Sequence, residues 1–147
     1  MIRPATADDI GALVAMARRF YEGSGYGASL EFCDAVVSAR AQLMIDNPDL
    51  GGIFVLGDLT GVIWFETYDS PVSDDLLASE RVLWVEPATR KANPMAGYAL
   101  TKRYEQEARR MGAKFTTLSR SMDNRGAAEF YTAMKYAPCD VLYCKAL

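Results

Sequence analysis

Two stretches of the 147-residue chain place residues where they could do chemistry. The first, VLWVEPATRKANPMAGYAL (82–100), reads as a buried strand that stops at Pro87 and a helix that starts near Pro94. At such a junction the free N–H groups of the first helical turn and the helix dipole point the same way. Arg90 and Lys91 add positive charge at its mouth. A phosphate or pyrophosphate suits that arrangement; a solvated loop with two surface cations is the plainer alternative. The second stretch is DNRGAAEFYTAMKY (123–136). Asn124, Ala127, Phe130, Tyr131, Met134 and Tyr136 recur in it at helical spacing. A capped core helix, with Tyr131 a buried aromatic, accounts for these residues equally.

The chain contains no histidine. That removes Ser–His and Cys–His nucleophile activation, histidine acid–base work and the commonest metal ligand. Chemistry must run on carboxylates, tyrosine, lysine, cysteine, water or backbone groups. A formal net charge of −3 and the lack of an RNP-like aromatic strand motif argue against nucleic-acid binding. No apolar run approaches the roughly 20 residues of a membrane span. The start, MIRPATADDIGALVAM, has two acids before its apolar stretch rather than the basic run of a secretion signal. Cys33, Cys139 and Cys144 form no CxxC pair, and the last two read as core or strand residues. A cytoplasmic, single-domain protein is expected, with a core that needs neither disulfide nor metal.

The elements that must position these residues follow from periodicity. Residues 2–6 read as a strand, and Thr6 with Asp9 forms a capping box. The helix it starts carries Ile10, Leu13, Val14, Ala17 and Phe20 on one face and is broken by YEGSGYGAS (21–29). A second helix is predicted over 30–47, with Phe32, Val36, Ala39 and Leu43 inward and Asn47-Pro48 as its stop. Strands are expected over 52–56 and 59–68 around the hairpin dipeptide Gly57-Asp58, and over 81–85. A loop separates the last two. A helix over 94–111 places Leu100, Tyr104, Ala108 and Met111 inward and stops at Gly112. A strand over 115–118, the helix capped by Asn124 and a strand-like terminal run over 136–145 complete the order. Such alternation argues an α/β or α+β domain with a mixed sheet covered by helices.

In their order and separation, the two opening stretches resemble the signature motifs of the GNAT superfamily of N-acetyltransferases. Val85, Pro87 and Arg90 match the head of V-x-P-x-x-R-G-x-G-x-[GA]. Asn124, Ala127, Phe130, Tyr131, Met134 and Tyr136 match the second motif, with Lys135 where that motif has glycine. The opening IRPATADD and the element order are similar too, so the resemblance spans essentially the whole chain. It extends to short acetyltransferase-like proteins often carried by phages. Where the family has two glycines and a small residue, this chain has Arg90-Lys91-Ala92-Asn93-Pro94-Met95. Asn93 tolerates left-handed backbone better than most residues, and Pro94 removes a donor.

The resemblance implies a mixed, mostly antiparallel sheet of six to seven strands flanked by about four helices. It implies acetyl-coenzyme A as cosubstrate and direct attack by a primary amine, on a small molecule or peptide, in a ternary complex. Leu83, Trp84 and Val85 would pair with the pantetheine arm. Amides over Arg90, Lys91, Ala92, Asn93, Met95 and Ala96 would hold the pyrophosphate. Asn124, Ala127 and Tyr131 would lie along the cofactor, with Tyr131 as acid to the departing thiolate. Glu80, Glu86 and Glu66 are the candidate bases, and Glu80 and Glu86 face one side if their strand is regular. Loop 21–29, the second helix and loop 70–79 would form the acceptor pocket, with Tyr21, Tyr26 and Phe32 as an aromatic wall or as core. Pairing of two copies through terminal strands is a feature of many relatives. The glycine-poor loop leaves a second reading: a GNAT-fold binding or interaction module with impaired catalysis and weak or altered coenzyme A binding.

Overall fold

A computed structural model describes residues 1–24, 30–145 and 147. Strand β1 (Ile2–Pro4) and a 3-10 turn (Ala7–Asp9) lead into helix α1 (Ile10–Glu22). Helix α2 (Asp34–Asp46), strands β2 (Gly51–Leu56), β3 (Gly61–Asp69) and β4 (Leu76–Val85) follow. Then come helices α3 (Pro87–Ala92) and α4 (Ala96–Arg110), strand β5 (Ala113–Thr117) and helix α5 (Arg125–Ala133). The sheet order is β1-β2-β3-β4-β5; every pairing is antiparallel except β4 with β5, which is parallel.

The start is pinned by charge. The Thr6 amide and hydroxyl donate to Asp9 Oδ2 at 2.8 and 3.1 Å, and Arg3 donates to both Asp9 oxygens at 2.7 and 2.9 Å. The Arg3 guanidinium therefore holds the nearly buried Asp9 carboxyl well below the usual carboxylate range.

The core lies on both faces of the sheet. On one, Leu13, Met16 and Ala17 of α1 and Ala41 and Met44 of α2 cover Ile53, Val55, Val62, Trp64 and Val82. On the other, Ala96, Leu100, Tyr104 and Ala108 of α4 cover Phe54, Ile63, Phe65, Ala78 and Val85. Burying apolar area at about 25 cal/mol per Å² is what holds the helices on the sheet. The inner stripe expected of α4 is the one observed.

Several elements differ from expectation. Helix α2 begins at Asp34, and its inner residues are Ala41 and Met44 with Val37 and Ile45; Val36, Ala39 and Leu43 are exposed. Apolar residues on several faces of α2 made the stripe ambiguous. The run before residue 81 is strand, not loop: β4 takes in Leu76–Glu80. Pro87 does not merely end β4 but opens α3 at its first turn, where its missing donor costs least. That makes five helices among the described residues. Among the described residues the sheet has five strands rather than six to seven, because residues 137–145 pair with no strand. Pro138 lacks a donor, and the Val141 amide is used locally by Asp140 Oδ1 at 2.8 Å. Cys139 and Cys144 are exposed there, as is Cys33, rather than in core or strand.

Helix α5 ends in a Schellman turn. The Tyr136 amide donates to the Tyr131 carbonyl at 2.9 Å and the Lys135 amide to the Thr132 carbonyl at 3.0 Å. Lys135 sits between them at φ 69°, a left-handed conformation that favours glycine. Lys135→Gly is expected to stabilise the fold by about 1 kcal/mol and to raise the melting temperature by roughly 2–4 °C. Calorimetry checks this; a lower melting temperature would mean the lysine side chain outweighs the backbone strain.

Candidate active site

The parallel pairing of β4 with β5 is short. Leu76, Ala78 and Ser79 oppose Ala113, Thr116 and Thr117, and from Glu80 to Val85 strand β4 has no partner on its β5 side. On its other side it stays paired to β3, with a bulge: Glu80 opposes Phe65 and Val82 opposes Trp64, so Arg81 is the extra residue. The bulge decides which way each side chain points. Glu80 shares the α4 face with Phe65, whereas Val82 and Trp84 turn to the α1–α2 face. The expectation that Glu80 and Glu86 share a face is therefore corrected. Glu86 lies across the sheet, where its Oε1 accepts from Arg19 of α1 at 2.5 Å.

Glu80 is 4% exposed. Its Oε2 accepts from the Ser119 amide at 3.2 Å and the Ser119 hydroxyl at 3.0 Å. Among the described residues its Oε1 is buried without a hydrogen-bond partner. Burial pushes the Glu80 carboxyl up to about 7, against the opposing pull of Ser119, the nearby Leu83 amide and Arg81. Tyr131 of α5 meets the same residue, its hydroxyl donating to the Ser119 carbonyl at 2.8 Å. Burial, then the negative charge of Glu80, raise the phenol of Tyr131 well above its ordinary value. Tyr104 of α4 donates to the Thr117 carbonyl at 3.2 Å, and its phenol is likewise raised by burial. The end of β5 thus collects a carboxylate and two phenols around one chain segment.

At the far end of β4 the backbone enters α3 and α4. The amides of Arg90, Asn93 and Ala96 donate to Glu86, Thr89 and Asn93 carbonyls, and that of Met95 to Asn93 Oδ1. Four of the amides expected to meet a pyrophosphate are therefore already engaged within the chain. Among the described residues, the first amides of α4 without a protein acceptor are those of Gly97 and Tyr98. Gly97 is also open: a Cβ there would meet only Phe130 of α5, at 3.8 Å. Arg90 and Lys91 are exposed on the preceding turn, and the Arg90 guanidinium lies 5.5 Å from the Trp84 ring centre. An anion with two phosphates fits free amides, a glycine and two cations.

The remaining predicted residues are distributed as follows. Leu83 and Val85 pack on the α4 face and Trp84 on the other, its indole N–H buried without a partner among the described residues. Lys91, Ala92 and Met95 are exposed, while Ala96 is core. Asn124 caps α5, its Oδ1 accepting from the Ala127 amide at 3.0 Å. Glu66 is engaged by Arg81 Nε at 2.9 Å. Tyr21 and Phe32 do come together, with ring centres 5.6 Å apart; Tyr26 lies outside the described residues. Sequence reading missed Ser119, Gly97 and Tyr98. Only Gly97 carried a signal: a helix begun two residues later moves the free amides onto it.

No family model matches the sequence, and no curated protein sequence matches it. Solved structures do match over the whole chain. A possible acetyltransferase from Clostridium difficile 630 superposes at TM-score 0.77 and 14% identity, covering 99% of this chain and 95% of its own. A ribosomal-protein-alanine N-acetyltransferase from Brucella melitensis biovar Abortus 2308 gives 0.71 at 13%, covering 100% and 99%. A glucosamine-6-phosphate N-acetyltransferase from Arabidopsis thaliana gives 0.73 at 12%, covering 99% and 96%. The chain has the fold of the GNAT acetyltransferases.

The buried carboxyl makes a sign-specific prediction. A group whose folded value is raised favours the fold below its unfolded value of about 4.5, and loses that contribution as pH rises through about 7. Glu80→Gln should therefore melt close to wild type at pH 5 and progressively above it as pH rises to 8.5. Melting curves across that range check the claim; a gap that stays constant with pH would show that Glu80 titrates normally.

Proposed function

We propose that this chain is an N-acyltransferase that moves an acetyl group from acetyl-coenzyme A to a primary amine by direct attack, with both substrates bound together. The observation that carries the reading is the gap between β4 and β5, with Glu80 and Tyr131 both tied to Ser119 beside it. Its likeness to solved acetyltransferases supports acyl transfer as the reaction class. On this reading the unpaired backbone of Leu83, Trp84 and Val85 receives the pantetheine arm. The Gly97 and Tyr98 amides, with Arg90 and Lys91, receive the pyrophosphate. The bound thioester supplies the activated acyl group.

The residues of the chain handle the protons. Glu80 takes a proton from the attacking amine: an N–H bond breaks and an O–H bond forms on the carboxylate. A base near 7 is well matched to neutral pH, because it is partly ionised there and still strong enough to accept. As the carbon–nitrogen bond forms and the carbon–sulfur bond breaks, Tyr131 gives its phenol proton to sulfur. A phenol raised by burial stays protonated at neutral pH and so is ready to donate. Solvent then carries a proton from Glu80 back to Tyr131. The net change is amine plus thioester to amide plus thiol. Glu66 and Glu86 are each engaged by an arginine, which favours Glu80 as the base. A cytoplasmic location and a small-molecule or peptide acceptor belong to the same reading.

Acetyl-coenzyme A at a hundredfold excess over its dissociation constant should stabilise the folded protein by about 2.7 kcal/mol. No thermal shift at high excess would end the proposal. Tyr131→Phe should keep that shift while slowing transfer to an amine panel by about 10²–10⁴. A thermal shift with no turnover by wild type on any acceptor would favour a binding module instead.

A further inference from the structure

We infer that Ser119 is the positioning residue of this site, a single residue that orients both the carboxylate and the phenol. The inference rests on the acyltransferase reading above. Among the described residues Ser119 supplies two hydrogen bonds to the Glu80 side chain, both to Oε2, and the nearby Leu83 amide adds a weaker pull. Oε1 is left buried without a donor among the described residues, so it is the oxygen whose lone pairs are uncommitted. The same residue accepts the Tyr131 hydroxyl at its carbonyl. Its position follows from the fold: it lies two residues beyond β5, where β4 and β5 have already parted.

The groups facing Glu80 leave Ser119 as the adjustable element. From α4 comes Tyr104, whose hydroxyl is turned to Thr117. From α5 comes Tyr131, turned to Ser119 itself. From β3 comes Phe65, which carries no charge. On β4 Arg81 is exposed and engaged with Glu66. No described cation is bonded to the carboxylate, so donors from Ser119 hold its charged form in place. Losing the hydroxyl leaves the Ser119 amide and the weaker pull of the Leu83 amide. Tyr131 keeps its acceptor in that variant, because the contact is to backbone. The hydroxyl and the phenol contact are thereby separable by mutation.

The test compares wild type, Ser119→Ala, Ser119→Thr and Glu80→Gln. Carbon-13 NMR of labelled glutamate carboxyls gives the Glu80 midpoint, with Glu80→Gln assigning the resonance. The pH profile of kcat/KM is measured on an amine acceptor. Removing one charge-assisted donor should move the Glu80 midpoint of Ser119→Ala up by about one pH unit. The acidic limb of its profile should move with it, costing about tenfold at pH 6 and little at pH 9. Ser119→Thr keeps the hydroxyl and should restore both. A midpoint in Ser119→Ala within about a third of a pH unit of wild type overturns the positioning role while leaving Glu80 as base. A Glu80→Gln enzyme with full activity and an unchanged profile overturns Glu80 as base, and the catalytic meaning of Ser119 with it. Should Ser119→Ala fail to fold, Ser119→Cys, a weaker donor, gives the same comparison with a smaller upward shift expected and none overturning the claim.

Discussion

The parting of β4 from β5 is the constraint on which the rest of the structure depends. Backbone N–H and C=O groups inside a sheet must find partners, and here the β5 side of Glu80–Val85 offers none from a strand. Parallel strands that stay together would seal the sheet and bury α4 against a continuous surface. These two stay together for only a few residues, and β5 is only five residues long. Beyond that point the chain turns through Leu118 and Ser119 toward α5. The gap is thus a consequence of short pairing, and the candidate chemistry lies at its edges.

The bulge at Arg81 is the second half of the same device. A regular strand would place Ser79 and Arg81 together on one face and Glu80 on the other through to Glu86. The extra residue puts Glu80 among Phe65, Tyr104 and Tyr131 and then lets Val82 and Trp84 return to the α1–α2 core. Burying a carboxylate there is costly unless it is bonded or protonated. Ser119 meets only one of the two oxygens, and the remaining cost appears as a raised titration point. The fold gives up stability at alkaline pH to hold this group, a pattern expected of a residue kept for reactivity.

Much of this was legible in the sequence. Strong periodicity marked α1 and α4, a good cap marked α5, and Gly57-Asp58 marked the hairpin, because each is a local signal. The motif around Asn124 and Tyr131 located the helix that brings a phenol to the gap. What was illegible depends on partners. A bulge is a property of two strands, so reading β4 alone gave Glu80 and Glu86 the wrong relation. The weakly patterned α2 took its inner face from packing rather than from its own sequence. Pro87 signalled both an end and a beginning, and only the second was missed. Ser119 carries no pattern; it matters because the fold puts it between two residues 39 and 12 positions away.

The absence of histidine gives the Glu80 environment its meaning. An imidazole titrates near 6.5 without assistance. A carboxylate reaches that range only by losing water, and burial beside aromatic rings brings this one to about 7. The two bases are not equivalent. A ready imidazole is neutral, whereas a ready carboxylate is negative and, on the proposed reading, also draws an ammonium acceptor toward it. Once Glu80 has taken a proton and Tyr131 has given one to sulfur, the site's single negative charge has moved from the carboxylate to the phenol, and the solvent relay returns it to Glu80 for the next cycle. Burial that would be a defect at a structural position can thus, on that reading, supply the base and attract the amine in a chain that lacks the usual residue.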